Sequence, residues 1–546
     1  MKTKEEILDF LELIVKILKF NNENPFKIKS FENAIDIIFS TDEVIVKNMI
    51  NNRELENIDG IGKGISQTVY DFYFDNKRGI IDKFLENYPE TVFDLFKIKG
   101  LGPKKISQIV GDFGIKSLDD LLNIVQDNDD TKYQKQLKKV ISNNVWNTLV
   151  PQIKFLKSSM NKLLYPFALK KIEKLINFLE KSESVVKIDI TGELRRYLPV
   201  ISKLELVVLA NSDIEDYLKS FIDDTITKST KIIFDKSIQY FEFVFDGYLT
   251  ILYMAKQDDF SETLKLTTPD ENFLSKINDI EILDKVIPEM QELENVDKLD
   301  RPISSIISDN DIQGILHFHT NWSDGHNSIN EMFDVIQDMG FKYAGVCDHS
   351  KSSFYANGLN EKRIEEQHNV IDELQKIYKI KLLKGIECDI LLDGSLDYSN
   401  EILKLFDFLV ISVHNFSYDA DEKAYTKRII KAIENPYSNI LGHPTGRLLL
   451  TRLPYPVDIY KVIDACIENN VIIEINSTPS RMDLDWKYLY YAMDKGAKFI
   501  INSDAHATYE IHNIYYGIKA ARKVGLPKEM VVNTYDFDNF LASLKK

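Results

Sequence analysis

The chain has 546 residues, of which 44% are hydrophobic and 28% charged, with a net charge of −17. That length allows three or four domains with a substantial core. No apolar run approaches the ~20 residues of a membrane helix, and three cysteines (Cys347, Cys388, Cys466) give no disulfide framework, so a cytoplasmic setting without membrane contact is expected. The acidic balance weighs against general coating of nucleic acid, though backbone N–H groups and a few lysines suffice for a local grip.

The first segment, "MKTKEEILDFLELIVKILKF", places apolar residues at helical spacing with acidic residues between them and has no small-residue cleavage site. It reads as an amphipathic helix of a folded domain rather than a signal peptide. "IDGIGKGISQTV" (58–69) and "IKGLGPKKISQIV" (98–110) are near-copies. In each, two glycines flank one apolar residue ahead of a helix. Gly60 and Gly62, and then Gly100 and Gly102, are expected to take the positive φ of a tight turn. The helix start that follows offers free N–H groups to a phosphate. Lys63, Lys104 and Lys105 add charge, and Pro103 suits a first helical turn. The pair resembles the helix-hairpin-helix motif, which implies sequence-independent binding of DNA.

After Pro151 the pattern becomes mixed. "SVVKIDITG", "KLELVVLA", "SIQYFEFVFDG" and "YLTILYMA" read as strands. "TGELRRYLPVISKLELVVLA" (191–210) carries a Gly, a double arginine (Arg195, Arg196) and then a strand. In this order the front of the chain resembles a family X DNA polymerase over about residues 1 to 300. The resemblance implies an Asp-x-Asp pair on that strand and a third Asp on a later one. Here the pair reads Lys203 and Glu205, and alignment from Gly247 puts the third on Thr250. The nucleotide-binding turn falls on "TTPDEN" (267–272) without its Gly, and the family's Schiff-base lysine falls on Thr68, which cannot form the imine. Phosphoryl transfer of this kind depends on metal held by carboxylates, so loss of polymerase activity is expected. Arg195 and Arg196 are expected either as phosphate contacts or in surface salt bridges.

None of the nine histidines precedes His317, which makes the chain chemically two-part. The boundary falls in the polar stretch 295–314. Beyond it one arrangement recurs seven times: a short apolar strand, a ligand-type residue at its end, then a helical stretch. The strand ends carry His317 and His319 with Asp324 beyond, Asp348 and His349, Glu387, His414, His443, Asn476 near Glu474, and Asp504 with His506. Parallel β/α barrels place their sites at the C-terminal ends of strands. Residues two apart on a strand share a side, so His317 joins His319 and Asp504 joins His506. Six histidines with Asp324, Glu387 and Asp504 make nine donors, enough for three ions if Glu387 bridges, with Zn²⁺, Mn²⁺ or Fe²⁺ all compatible. Cys347 and Cys388 are expected to point away from the cluster. His326, His368 and His512 lie outside the pattern.

This half resembles the PHP (polymerase and histidinol phosphatase) domain, and all nine of its metal positions match. The resemblance implies a distorted seven-stranded barrel with a trinuclear centre. One ion would sit on His317, His319, Glu387 and Asp504, a second on Glu387, His414 and His443, and a third on Asp324, His349 and His506. Divalent ions there acidify water and neutralise phosphate oxygens. Glu387 and Arg447 are taken as the catalytic candidates. Arg447, ahead of Lys351 and Arg481, would grip a non-reacting phosphate.

The expected fold is a multidomain α/β chain: helical DNA-binding domain (1–85), fingers-like second hairpin (86–150), degenerate nucleotidyltransferase palm (151–300), linker (301–313) and PHP barrel (314–546). The expected function is a monomeric metal-dependent phosphoesterase, either a 3′–5′ exonuclease or a 3′-end or abasic-site processing enzyme. It would act on gapped, nicked or 3′-ended DNA in repair. The alternatives are an active gap-filling polymerase, a small-molecule phosphatase and a non-catalytic DNA-binding scaffold.

Overall fold

The computed structural model describes residues 2, 4–41, 43–126, 132–222, 225–292, 294, 302–415 and 421–544. The chain divides into two compact units, 1–160 and 161–546. The regular structure of the first is helical. Its leading helix, Lys4–Phe20, buries Ile7, Leu11, Ile14 and Leu18 at the three- and four-residue spacing of one helical face.

Two further helices, Lys63–Asp75 and Pro103–Phe113, start at the repeated glycine turns. Only the first glycine of each pair is left-handed: Gly60 has φ +95° and Gly100 φ +83°. Gly62 (φ −82°) and Gly102 (φ −69°) are extended helix caps, which corrects the expectation of four positive φ values. Ile61 and Leu101, between the glycines, are buried and anchor the turns.

The second unit begins with a palm-like part. It contains β1 (Leu163–Leu164), β2 (Val185–Ile190), β3 (Val200–Ile201), β4 (Leu204–Ala210), β5 (Thr227–Ile233), β6 (Lys236–Phe245) and β7 (Tyr248–Ala255). β1 pairs with β3, and the others form a five-stranded sheet in the order β2-β4-β7-β6-β5. β4 and β7 run parallel, with Leu204 opposite Thr250 and Glu205 opposite Ile251. Thr250 therefore shares the face of Leu204, and Glu205 faces the other way. The placement of a third metal position on Thr250 is thus corrected: on the side of Glu205, β7 presents Ile251 and Tyr253. None of these is a carboxylate.

The barrel uses β8 (Gly314–Ile315), β9 (Tyr343–Val346), β10 (Lys381–Asp389), β11 (Phe408–Ser412), β12 (Ile440–Leu441), β13 (Ile472–Asn476) and β14 (Phe499–Asn502). All neighbours are parallel and in chain order. The ring closes beyond the ends of β8 and β14, where the His319 N–H donates to the Ala505 carbonyl (2.8 Å) and the Asp504 N–H to that of His317 (2.9 Å). Closure thus occurs at the end that carries the ligand-type residues. Inside, Leu316, Tyr343, Leu383, Phe408, Val410, Ile440, Ile472 and Ile500 pack together, and Val532, Phe540 and Leu544 of the C-terminal segment pack with them. Gly345 and Gly385 make room for Phe408, since a Cβ on either would meet its ring at 2.4 or 2.2 Å.

Of the stretch expected to link palm and barrel, residues 295–301 lie outside the described residues. The remainder packs on the barrel: Ile306 and Ile307 are buried, and the Ile307 N–H donates to the Leu526 carbonyl (3.0 Å). Palm and barrel also share a buried charge cluster. Arg196 pairs with Glu292 (2.9 Å), and Lys523, on the barrel helix Ile514–Lys523, pairs with the same carboxylate (2.9 Å) and donates to the Arg196 carbonyl (3.0 Å). Arg522 pairs with Glu289 (2.8 Å). Among the described residues no helix is long and apolar enough to cross a membrane.

Candidate metal centre

The nine donor residues expected from the sequence converge at the closing end of the barrel. Glu387 lies at the centre. Its carboxylate is 2.8 Å from His443 Nε2, 3.1 Å from His349 Nδ1, 3.2 Å from His414 Nε2 and 3.6 Å from both His317 Nε2 and His319 Nε2. Asp504 approaches His319 Nε2 (3.1 Å) and His317 Nε2 (3.5 Å). Asp324 lies 3.5 Å from both His349 and His506 and 3.8 Å from His319.

Three sets have donor atoms within 4.8 Å of one another: His319, Asp324, His349 and His506; His317, His319 and Asp504; and His349, Glu387 and His414. The last set has His349 where the expected grouping had His443, which instead meets Glu387 directly.

This arrangement fits divalent ions on its own chemistry. His317 Nε2, His319 Nδ1, His349 Nδ1 and His443 Nδ1 are buried with no hydrogen-bond partner, and buried polar groups are otherwise paired. Three carboxylates face them, a charge that metal would offset. Burial opposes the charge on Glu387, yet His414, His317 and His349 hold its carboxyl well below the usual range. Burial likewise opposes a proton on His317, but Glu474, Asp504 and Glu387 raise its affinity well above that of an ordinary imidazole. Burial, with His506 and His349 beside it, pushes His319 down to about 3. The backbone is strained at two donors: His443 (φ +24°) and Asp504 (φ +50°) are left-handed, a conformation costing about 1–3 kcal/mol each outside glycine. The His443 N–H is tied to Glu474 (2.8 Å).

The family models that match are a PHP domain over residues 316–478 and a helix-hairpin-helix domain over residues 2–74. The DNA polymerase/3′-5′ exonuclease PolX of Bacillus subtilis is 26% identical across 100% of this chain and 99% of its own. A probable phosphatase of Clostridium acetobutylicum is 30% identical over 40% of this chain and 89% of its own. This chain belongs to the PolX-type PHP proteins. Among solved structures, part of the chain is similar to a histidinol phosphate phosphatase of Lactococcus lactis complexed with zinc, L-histidinol and phosphate. That likeness has 19% identity, 38% coverage of this chain, 93% of the other and a TM-score of 0.29.

Several residues outside the nine donors hold this PHP centre in place. Glu474, fully buried, accepts from His317 Nδ1 (2.7 Å), Asn502 (3.0 Å), Asn476 (3.1 Å) and the His443 N–H. It therefore keeps the His317 proton on Nδ1 and turns Nε2 toward the cluster. Asp389 does the same for His414 Nδ1 (2.6 Å). Asp348 points outward and is consumed by Thr320, Ser323 and Gln367, which fixes the loop carrying Asp324. His512 is exposed, and neither it, His326 nor His368 joins a donor set among the described residues.

Two expectations are corrected. Arg447 does not face the cluster as a phosphate grip. Its guanidinium pairs with Asp485 and donates to the carbonyls of Arg481 and Met482, clamping that loop. The arginine at the cluster is Arg481, 3.2 Å from Asp504. Cys347 does not point away: it shares the inward face of His349, one layer deeper in the barrel interior. Cys388, one residue from Glu387, packs on the outer face as expected. Lys351 pairs with Glu361 (2.6 Å) on the surface.

The palm pocket neutralises itself. Glu205 is buried, pairs with Lys203 (2.9 Å), and accepts from the Tyr253 hydroxyl (3.1 Å) and the Glu193 N–H (3.3 Å). Arg195 pairs with Asp189 (3.1 Å), and Arg196 is in the buried cluster rather than a surface bridge.

Proposed function

We propose that this chain is a DNA-processing, metal-dependent phosphoesterase that trims 3′ ends, by 3′–5′ exonuclease or 3′-end and abasic-site cleavage, and does not polymerise. The observation that carries it is the convergence of six histidines and three carboxylates, five of the histidines lying within 3.6 Å of Glu387, with four buried imidazole nitrogens left without a hydrogen-bond partner. His317, His319, Asp324, His349, Glu387, His414, Asp504 and His506 in the three donor sets, with His443 against Glu387, would hold three divalent ions. Such ions supply Lewis acidity and a nucleophile at neutral pH. Glu387 stays ionised between the rings and spans the sets. Glu474 and Asp389 orient two of the rings, and Arg481 adds positive charge at the edge of the cluster.

The helix-hairpin-helix turns support DNA as the substrate. A Cβ on Gly62, Gly64 or Gly102 would meet no atom within 4 Å, so the fold itself does not require glycine there. Close approach by an external backbone does. Lys63 and Lys104 lie exposed beside these turns, with Lys105 half-buried. The full-length B. subtilis relative is named as a polymerase and exonuclease, but here the polymerase positions carry Lys203 and Glu205 locked together. The phosphatase relatives match only 29–42% of this chain, and they make a free phosphate ester the competing substrate.

One gel separates these readings. A 5′-labelled primer on a gapped template is incubated with Mn²⁺ and deoxynucleotides, wild type beside His319→Ala. Shortening by wild type and none by the variant is expected. Primer extension would defeat the proposal. So would an intact primer from protein that hydrolyses p-nitrophenyl phosphate.

A further inference from the structure

Phe354 and Tyr355 are exposed to 85% and 67%. Single exposed hydrophobics are ordinary. These two are consecutive, their rings sit edge to face with centroids 6.1 Å apart, and they occupy the tip of the loop that follows His349.

That loop is held rigidly. Its two ends close on the metal centre's own backbone: the Ser350 N–H donates to the Glu387 carbonyl (3.0 Å) and the Leu359 N–H to the His349 carbonyl (2.9 Å). Within it, the Ser352 and Ser353 hydroxyls both donate to Asp389 (2.6 Å each), the carboxylate that orients His414. Arg363 donates to the Asn357 carbonyl (2.6 Å) and to that of Trp322, joining this loop to the one carrying Asp324. A Cβ on Gly358 would meet the Ser350 carbonyl oxygen at 1.9 Å, so the loop also packs tightly on itself. The aromatic pair is thus presented to solvent by a fixed frame coupled to two donor residues.

Planar rings held in this way at the mouth of a phosphodiester-cleaving centre suit nucleobases. Every base has a π-face, and stacking tolerates any sequence. Resting on the DNA reading above, we propose that Phe354 and Tyr355 form a stacking platform for unpaired bases at the end of the strand being cut. The centre therefore prefers single-stranded or frayed 3′ ends to paired ones.

The test uses the full chain and a Phe354→Ala/Tyr355→Ala variant, whose side chains are too exposed for their loss to threaten folding. Metal-free binding of an oligonucleotide with 2-aminopurine at its 3′ end is followed by fluorescence, alongside Mn²⁺-dependent digestion of single-stranded and duplex DNA and hydrolysis of p-nitrophenyl phosphate. Wild type is expected to quench the base and the variant not to. The variant's KM for single strands should rise about tenfold or more, with the small ester unaffected. Phe354→Trp should retain quenching. Equal quenching and equal KM in wild type and variant would overturn the platform while leaving the DNA reading intact. Ester hydrolysis by a wild-type protein that neither binds nor cuts DNA would overturn both.

Discussion

Glu474→Gln isolates the carboxylate behind His317. Each oxygen of Glu474 accepts two bonds: one from His317 Nδ1 (2.7 Å) and Asn502 (3.0 Å), the other from the His443 N–H (2.8 Å) and Asn476 (3.1 Å). An amide of the same shape must turn its NH₂ toward one of these pairs of donors. Two of four bonds are lost, at about 1.5–3 kcal/mol for each bond to a charged group. Rotation of the Asn502 or Asn476 amide recovers part of this, which leaves a net loss of about 3 kcal/mol. Loss of a ligand-orienting partner weakens metal binding about 10- to 100-fold, or about 1.4–2.7 kcal/mol. The assay is calorimetric titration of the metal-free protein with Mn²⁺, paired with activity against metal concentration. The midpoint should move up by that factor while turnover at saturating metal stays within a few-fold of wild type. Unchanged affinity with unchanged stability would refute the reasoning. Unchanged affinity with lost turnover would mean that Glu474 acts on the substrate rather than on His317.

Because the facing carboxylates raise the proton affinity of His317 and His414 well above the ordinary 6.5, metal must displace protons still bound above that pH. Affinity for Mn²⁺ should therefore keep rising with pH past 6.5, where unperturbed histidine ligands would level off, and isothermal titration across pH 6 to 9 checks this. Arg447→Ala should lower thermal stability by loosening residues 481–485, whereas Arg481→Ala should leave the melting temperature near wild type and lower kcat/KM. The opposite pattern would restore Arg447 as the phosphate grip. Gly62→Ala and Gly102→Ala should fold with the loss of about 1 kcal/mol or less that alanine costs at a helix cap and bind DNA more weakly. Gly100→Ala should destabilise by at least about 1 kcal/mol, since φ is +83° and its Cβ would meet Val145 at 2.3 Å. Chemical denaturation and fluorescence anisotropy separate the two effects.

The barrel and its donors were legible because strand ends in a parallel barrel project their ligands by a simple period of two. Asp389 was not, nor were the roles of Glu474 and Arg481, because these depend on which neighbour each meets across the ring, information that no local pattern carries. The expectation for Cys347 failed on the same rule that succeeded for Cys388. Adjacency to Asp348 was read as adjacency to a ligand, but the ligand on that strand is His349, and position 347 shares its side. Thr250 failed for a related reason: alignment from a glycine fixed the strand but not which face looks at Glu205. In the hairpin turns, one glycine of each pair serves the turn and the other caps the helix. A two-glycine pattern cannot distinguish these roles.

The cluster of Lys523, Arg196 and Glu292 makes the two halves of the second unit chemically dependent on each other. Lys523 is fully buried, and its carboxylate partner, Glu292, belongs to the palm region. A barrel expressed alone from residue 302 would expose Arg522 and Lys523 on one helix without Glu289 or Glu292 to answer them, along with the surface that had excluded water around them. The palm is then indispensable as the counter-charged wall of its neighbour, whatever its own chemistry. Fragments meant to isolate the phosphoesterase should begin at residue 161, not at 302.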